Sequence, residues 1–197
     1  MDLIARINQH CADSATQILQ HGEELATPLA LAAEKLVESL LQDGKILLCA
    51  DAHGQALASY AASRLLTRLQ QARPGLAALH LSGDAGLLAA LQATDSLDTA
   101  FARQIEVLGH QQDALLLLCS DQPSPALLQA IAAAHERGLM VIALVGPEGA
   151  ALAAQLQEQD VLLEVHCADP ARVHELYLLA LHCLCDALDC LLLGVEA

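Results

Sequence analysis

The chain is 197 residues long, 55% hydrophobic and 17% charged, which excludes a disordered segment and fits one large domain. With no Trp, one Phe and two Tyr, its core must be assembled from Leu, Ala, Val and Ile, and so much apolar composition points to surface hidden in an oligomer. A net charge of −15, from 24 acidic and 9 basic residues, argues against direct nucleic-acid or anionic-membrane contact and leaves room for a basic protein partner.

The opening Met1-Asp2-Leu3-Ile4-Ala5-Arg6 has no basic stretch leading into an apolar one, so no secretory leader is expected. Apolar positions at Leu3, Ile4, Ile7, Cys11, Ala15, Ile18 and Leu19 have helical spacing over residues 2–24. A second helix is expected to start with Thr27 as cap and Pro28 in first position, and to end where Gln42-Asp43-Gly44 breaks the pattern. The rhythm then changes to short unbroken apolar runs at 45–50, 77–81, 114–119, 139–145 and 161–165. Helical segments are expected between them at 55–69, 84–92, 97–108 and 124–137, with a closing helix over 170–193. No run is read as approaching the roughly 20 residues of a membrane span.

Unbroken apolar runs alternating with helices predict parallel strands covered on both faces. The expected architecture is α/β: a three-layer α/β/α sandwich around a five-stranded parallel sheet, preceded by two N-terminal helices. Residues 1–197 form a single domain in this reading, with 1–43 a helical oligomerisation arm and 44–197 the sandwich. The seven cysteines, Cys11, Cys49, Cys119, Cys167, Cys183, Cys185 and Cys190, fall mostly in apolar runs. They are read as free thiols of a reducing cytoplasm, since Cys183-Leu184-Cys185 has the wrong spacing for a redox or zinc pair.

In a sheet of this kind ligands sit beyond the carboxyl ends of the strands. The first two such loops are Cys49-Ala50-Asp51-Ala52-His53-Gly54 and Cys119-Ser120-Asp121-Gln122-Pro123-Ser124. With Ala72-Arg73-Pro74-Gly75-Leu76, Gln104 to Gly109 and Leu181-His182-Cys183-Leu184-Cys185-Asp186, the chain resembles the SIS (sugar isomerase) domain family along its whole length. The similarity is to the phosphoheptose isomerases and their non-isomerase relative, the DnaA initiator-associating protein. It implies a flavodoxin-like fold, a homotetramer, and a phosphosugar site at the strand ends.

Several motif positions depart from that family. Its glycine-rich first loop has become Ala50-Asp51-Ala52-His53-Gly54, where Asp51 would repel a phosphate. In the second loop Ser120 and Ser124 survive, while Asp121 adds negative charge and Pro123 removes an N–H. The family's catalytic Glu is Arg64, which cannot accept a proton, whereas its catalytic His is kept as His182. A metal-site His has become Tyr60, a Gln on the last helix is His174, and an Asn-Asp pair is Ala93-Thr94.

His174 and His182 lie about 12 Å and roughly 80° apart on one helix. One zinc ion could join them only with further ligands, so no metal or other cofactor is expected and two histidines lining a polar former pocket is the better reading. His53 is read first as a solvated loop histidine and second as an anion ligand when protonated. Arg64 has two readings: a Tyr60–Arg64 pair offered to a ligand carboxylate, or an ion pair with Asp51 or Asp121 that neutralises the cleft. Glu23-Glu24 and Asp95-Ser96-Leu97-Asp98 are read as solvated surface or a helix start. The leading expectation is a cytoplasmic, catalytically degenerate, oligomeric scaffold or regulator, with replication initiator DnaA as the kind of protein partner. The alternatives are a sedoheptulose 7-phosphate isomerase and a phosphosugar-binding sensor.

Overall fold

A computed structural model describes residues 2–70, 72–81, 85–94 and 96–194. Asp84, the expected start of a helix, and Asp95 lie outside the described residues. Helix α1 spans Leu3–Leu41, followed by β1 (Ile46–Ala50), α2 (Gln55–Leu66), β2 (Ala78–His80), α3 (Ala85–Thr94) and α4 (Ala100–Leu108). Then come β3 (Ala114–Cys119), α5 (Pro125–Glu136), β4 (Met140–Val145), α6 (Ala150–Ala153), β5 (Val161–Glu164) and α7 (Pro170–Leu193). The five strands pair in parallel in the order β2-β1-β3-β4-β5. Every residue of β1 and β3 is buried, as the unbroken apolar runs require of strands covered on both faces.

Two apolar layers flank the sheet. One joins Leu25, Leu36, Ala58, Leu65, Val173, Tyr177 and Leu184 to the α1, α2 and α7 side. The other joins Ile105, Leu127, Ile131 and Ala134 to the α4 and α5 side. This is the expected doubly wound sandwich.

The amino-terminal region corrects the sequence reading, because one continuous 39-residue helix replaces the two expected. Its cap is Asp2, whose carboxylate accepts from the Ile4 and Ala5 amides at 3.0 and 3.1 Å. Pro28 sits inside it. An internal proline removes one hydrogen bond and costs about 3 kcal/mol. The Glu24 carbonyl, which loses its helical donor to the proline, belongs to an exposed residue. Buried Leu25 and Leu29 flank the proline and run on to Ala32, Ala33 and Leu36, so tertiary packing carries the helix through. Asp43 at φ 59° and Gly44 then turn the chain into β1, and a Cβ on Gly44 would lie 2.2 Å from the Gln112 carbonyl oxygen. The first half of α1 is largely exposed, with Ile4 and Leu19 at 74% and 78%.

Helix α7 also departs from expectation, being long and apolar enough by length and composition to cross a membrane. Its inward face, Val173, Leu176, Tyr177, Ala180, Leu181, Leu184 and Leu188, is committed to the core, which marks it as a core helix. The buried ion pair between Arg73 and Asp189 fixes its far end.

Candidate functional site at the sheet's switch point

In this strand order the connection leaving β1 runs towards one edge of the sheet and that leaving β3 towards the other. The loops after β1 and β3 therefore open a crevice at the topological switch point. Asp51 follows β1 directly and is buried at 8% exposure. Its Oδ1 accepts from the Gly54 amide at 2.6 Å. Its Oδ2 accepts from the Ser120 amide, from the Ser120 hydroxyl at 2.8 Å and from the Asp121 amide at 3.2 Å. One carboxylate thus stitches together the loops that begin α2 and α5. The expected ion pair of Arg64 with Asp51 or Asp121 does not form. Backbone amides satisfy Asp51, and Arg64 lies elsewhere.

Arg64 is in the last turn of α2, with its guanidinium 5.4 Å from the centre of the Tyr60 ring. Its Nε is buried and has no hydrogen-bond partner among the described residues. The Tyr60 hydroxyl and His182 Nε2 are hydrogen-bonded at 2.9 Å, with their rings edge to face. Arg73 holds this corner from behind, donating to the Leu65 and Arg64 carbonyls at 2.9 and 3.3 Å and to Asp189. The nearby Cys185 thiol is pushed up to about 11, chiefly by burial.

His174 faces a different neighbourhood. Its Nδ1 lies 2.7 Å from the Pro170 carbonyl and so carries the hydrogen, while its ring meets that of His53 edge-on at 6.3 Å. Both histidines, with Ser120, Asp121, Glu148 and Cys167, line a cavity of about 220 Å³. The two helical histidines therefore have separate partners, and among the described residues no three His, Cys, Asp or Glu side chains converge as a metal-holding group. Tyr60, Arg64, His174 and His182 do not fit a zinc ion, since a guanidinium offers no lone pair. Ser124 caps α5, accepting from the Leu127 amide, and does not line this cavity.

Sequence reasoning missed Pro147, Glu148 and Cys167 as lining residues. The turn after β4 is a third strand-end loop, and the rule that selected the first two would have found it. Behind the cavity Tyr177, fully buried, donates to the Cys119 carbonyl at 2.7 Å, with the Leu144 carbonyl at 3.1 Å. Burial, then the Asp51 charge, pushes the Cys119 thiol up to about 12, which keeps it protonated and unreactive.

Residues 10–146 match the family described as SIS domain. Among curated proteins, a phosphoheptose isomerase of Aromatoleum aromaticum is 44% identical over 196 residues, covering 100% of this chain and 99% of the relative. One of Thiobacillus denitrificans is also 44% identical, covering 100% of both. Among solved structures, a phosphoheptose isomerase from Francisella tularensis superposes with a TM-score of 0.89 at 31% identity, over 96% of this chain and 99% of that one. The phosphoheptose isomerase from Neisseria gonorrhoeae gives 0.86 at 33%, over 95% and 99%. The chain belongs to the SIS-domain family and, within it, to the phosphoheptose isomerase group.

Proposed function

We propose that this phosphoheptose isomerase-like protein acts as an oligomeric scaffold or regulator and does not itself turn over sugar phosphates. The observation that carries the reading is the corner formed by Tyr60, Arg64 and His182. Isomerising an open-chain sugar phosphate moves a proton between adjacent carbons, which needs a positioned base. Losing one such base costs roughly 10²–10⁴-fold in rate. At the position where the resemblance puts a carboxylate stands a permanently charged guanidinium, and the remaining candidate, His182, is engaged by the Tyr60 hydroxyl.

The exposed stripe Leu3, Ile4, Ile7, Ile18 and Leu19 on α1 supports association with further copies, in this reading a homotetramer. The acidic surface suits a basic protein, and the resemblance makes replication initiator DnaA, in the cytoplasm, the partner to try first.

One observation favours a second reading, a working isomerase: 44% identity along the whole chain to proteins named phosphoheptose isomerase. Retention of His182 and Ser120 agrees with it, and the 220 Å³ cavity would also serve a sensor that binds without turnover. Thermal shifts with a panel of sugar phosphates, run beside an interconversion assay on sedoheptulose 7-phosphate, separate the three. The scaffold reading predicts neither a shift nor turnover. Binding without turnover selects the sensor, and turnover within tenfold of an ordinary member of the group overturns the proposal.

A further inference from the structure

We propose that the cavity at the amino-terminal ends of β3, β4 and β5 is a second binding site, which takes an adenine ring presented as the uncharged nucleoside. It lies at the pole of the sheet opposite the strand-end crevice, so it stands or falls independently of whether the protein turns over sugar.

The cavity measures about 220 Å³ and lies between the end of α1 and the turns that precede β3 and β4. That is below the roughly 300–1,000 Å³ of a drug-sized pocket, which limits the occupant to a small ring system. Its charges cancel internally. Lys35 Nζ and Glu38 Oε2 pair at 3.3 Å, and the Asp113 carboxylate, 2% exposed, takes the Lys45 ammonium at 2.5 Å. With no cation left over and a chain charge of −15, a phosphate has nothing to hold it there. The occupant is therefore uncharged.

The polar groups left open are two amides and an imidazole. Gln111 and Gln112 line the cavity, and their side chains have no hydrogen-bond partner among the described residues. The turn that carries them is clamped. The Ser39 hydroxyl donates to the Gln112 carbonyl at 2.6 Å, and Asp113 accepts from the His110 and Lys45 amides at 2.8 and 2.9 Å. Gly138, at φ 75°, leaves room for the Gln111 stem, since a Cβ there would lie 3.2 Å from Gln111 Cγ. His135, which also lines the cavity, is held as firmly. Its Nε2 lies 2.7 Å from Asp160 Oδ2, and that buried carboxylate also accepts from the Val141 and Gln157 amides, at 2.8 Å each. A carboxylate only accepts, so Nε2 carries the hydrogen and the neutral ring leaves Nδ1 as an acceptor.

These groups complement one edge of adenine. A glutamine amide pairs with that edge through two hydrogen bonds, accepting from the exocyclic amine and donating to N7. The second hydrogen of the amine has an acceptor available in His135 Nδ1. Leu139, buried, and Met140, half-buried, give the ring an apolar wall.

The test is a titration of the full chain with adenosine, guanosine and AMP, followed through the proton NMR signals of each ligand. Adenosine should bind with a Kd on the order of 1 mM or tighter. Guanosine presents acceptors at both N7 and O6 and should bind about tenfold more weakly. AMP should bind no more tightly than adenosine. Replacing both Gln111 and Gln112 with Leu alters exposed side chains only, so the variant should keep the wild-type Tm and weaken adenosine binding about tenfold. If it does not fold, Gln111→Glu with Gln112→Glu keeps the length of both side chains, removes the donor to N7 and should show the same loss. Absence of adenosine binding to wild type overturns the proposal. So does unchanged affinity in the glutamine variant, which would seat the base elsewhere. Guanosine binding as tightly as adenosine overturns the assignment of adenine, and AMP binding more tightly overturns that of an uncharged ligand.

Discussion

Replacing Arg73 with Met should be among the most damaging single changes in the chain. The Arg73 and Asp189 side chains are 1% and 3% exposed, so neither charge has recourse to water. Arg73 also donates to two carbonyls at the end of α2, those of Leu65 and Arg64, and thereby ties that helix to α7. Met matches the length of the aliphatic stem but leaves a buried carboxylate unpaired. Breaking such a pair from one side costs roughly 3–5 kcal/mol. For a domain of this size that corresponds to a fall of about 6–20 °C in Tm, out of a total stability on the order of 5–15 kcal/mol. Urea denaturation of Arg73→Met, Asp189→Leu and the double variant forms a cycle that isolates the coupling. The double variant should be more stable than Arg73→Met alone, because it no longer buries a lone charge. A loss below about 1 kcal/mol for Arg73→Met, or strict additivity in the cycle, would refute the reasoning.

Three further outcomes are expected. Tyr177→Phe should cost about 1–3 kcal/mol in urea denaturation by leaving the Cys119 and Leu144 carbonyls without their buried donor, and a neutral result would show that water replaces it. Burial holds the His80 pKa below its ordinary 6.5, so the unfolded chain takes up the proton first as pH drops and stability is lost from about 6.5 downward through the folded value. His80→Gln should flatten that part of the stability profile, and an unchanged slope would remove His80 from the account. If the proposed oligomer forms through the α1 stripe, Ile7→Glu with Leu19→Glu should lower the sedimenting mass to that of a monomer, and an unchanged mass would remove the stripe from the account.

Much of the fold was legible because parallel strands buried on both faces leave an unmistakable record. Leu115 to Cys119 and Val141 to Val145 are unbroken apolar runs, and both are strands. The closing helix matched from Pro170 to Leu193, with proline in first position and glycine following. Pro28 misled for a physical reason: the rule that places proline at a helix start is local, while the stripe of Leu25, Leu29 and Leu36 against the core is not. The short helix Ala150–Ala153 left no periodic signal at all.

The site was legible by location and misread by partner. Asp51, Ser120 and Asp121 were picked from their places after β1 and β3, and the structure brings them together. A search for charge complements pointed from Asp51 to Arg64, whereas the true complements are the Ser120 hydroxyl and three backbone amides, whose positions no side-chain sequence reveals. Arg64 instead lies against Tyr60, four residues earlier on the same helix, the pairing named in the other reading of this arginine.

The most direct measurement of the central claim follows proton transfer itself. Sedoheptulose 7-phosphate incubated with the protein in deuterium oxide would gain deuterium at the carbon beside its carbonyl group whenever a base on the protein removes and returns that proton, even if product never accumulates. Proton NMR reads the exchange directly. With Arg64 in place of a carboxylate, the account predicts no exchange above the protein-free control over a day at near-stoichiometric protein. Exchange that depends on protein and is lost in His182→Ala would contradict it, showing that His182 serves as the base despite its bond to Tyr60.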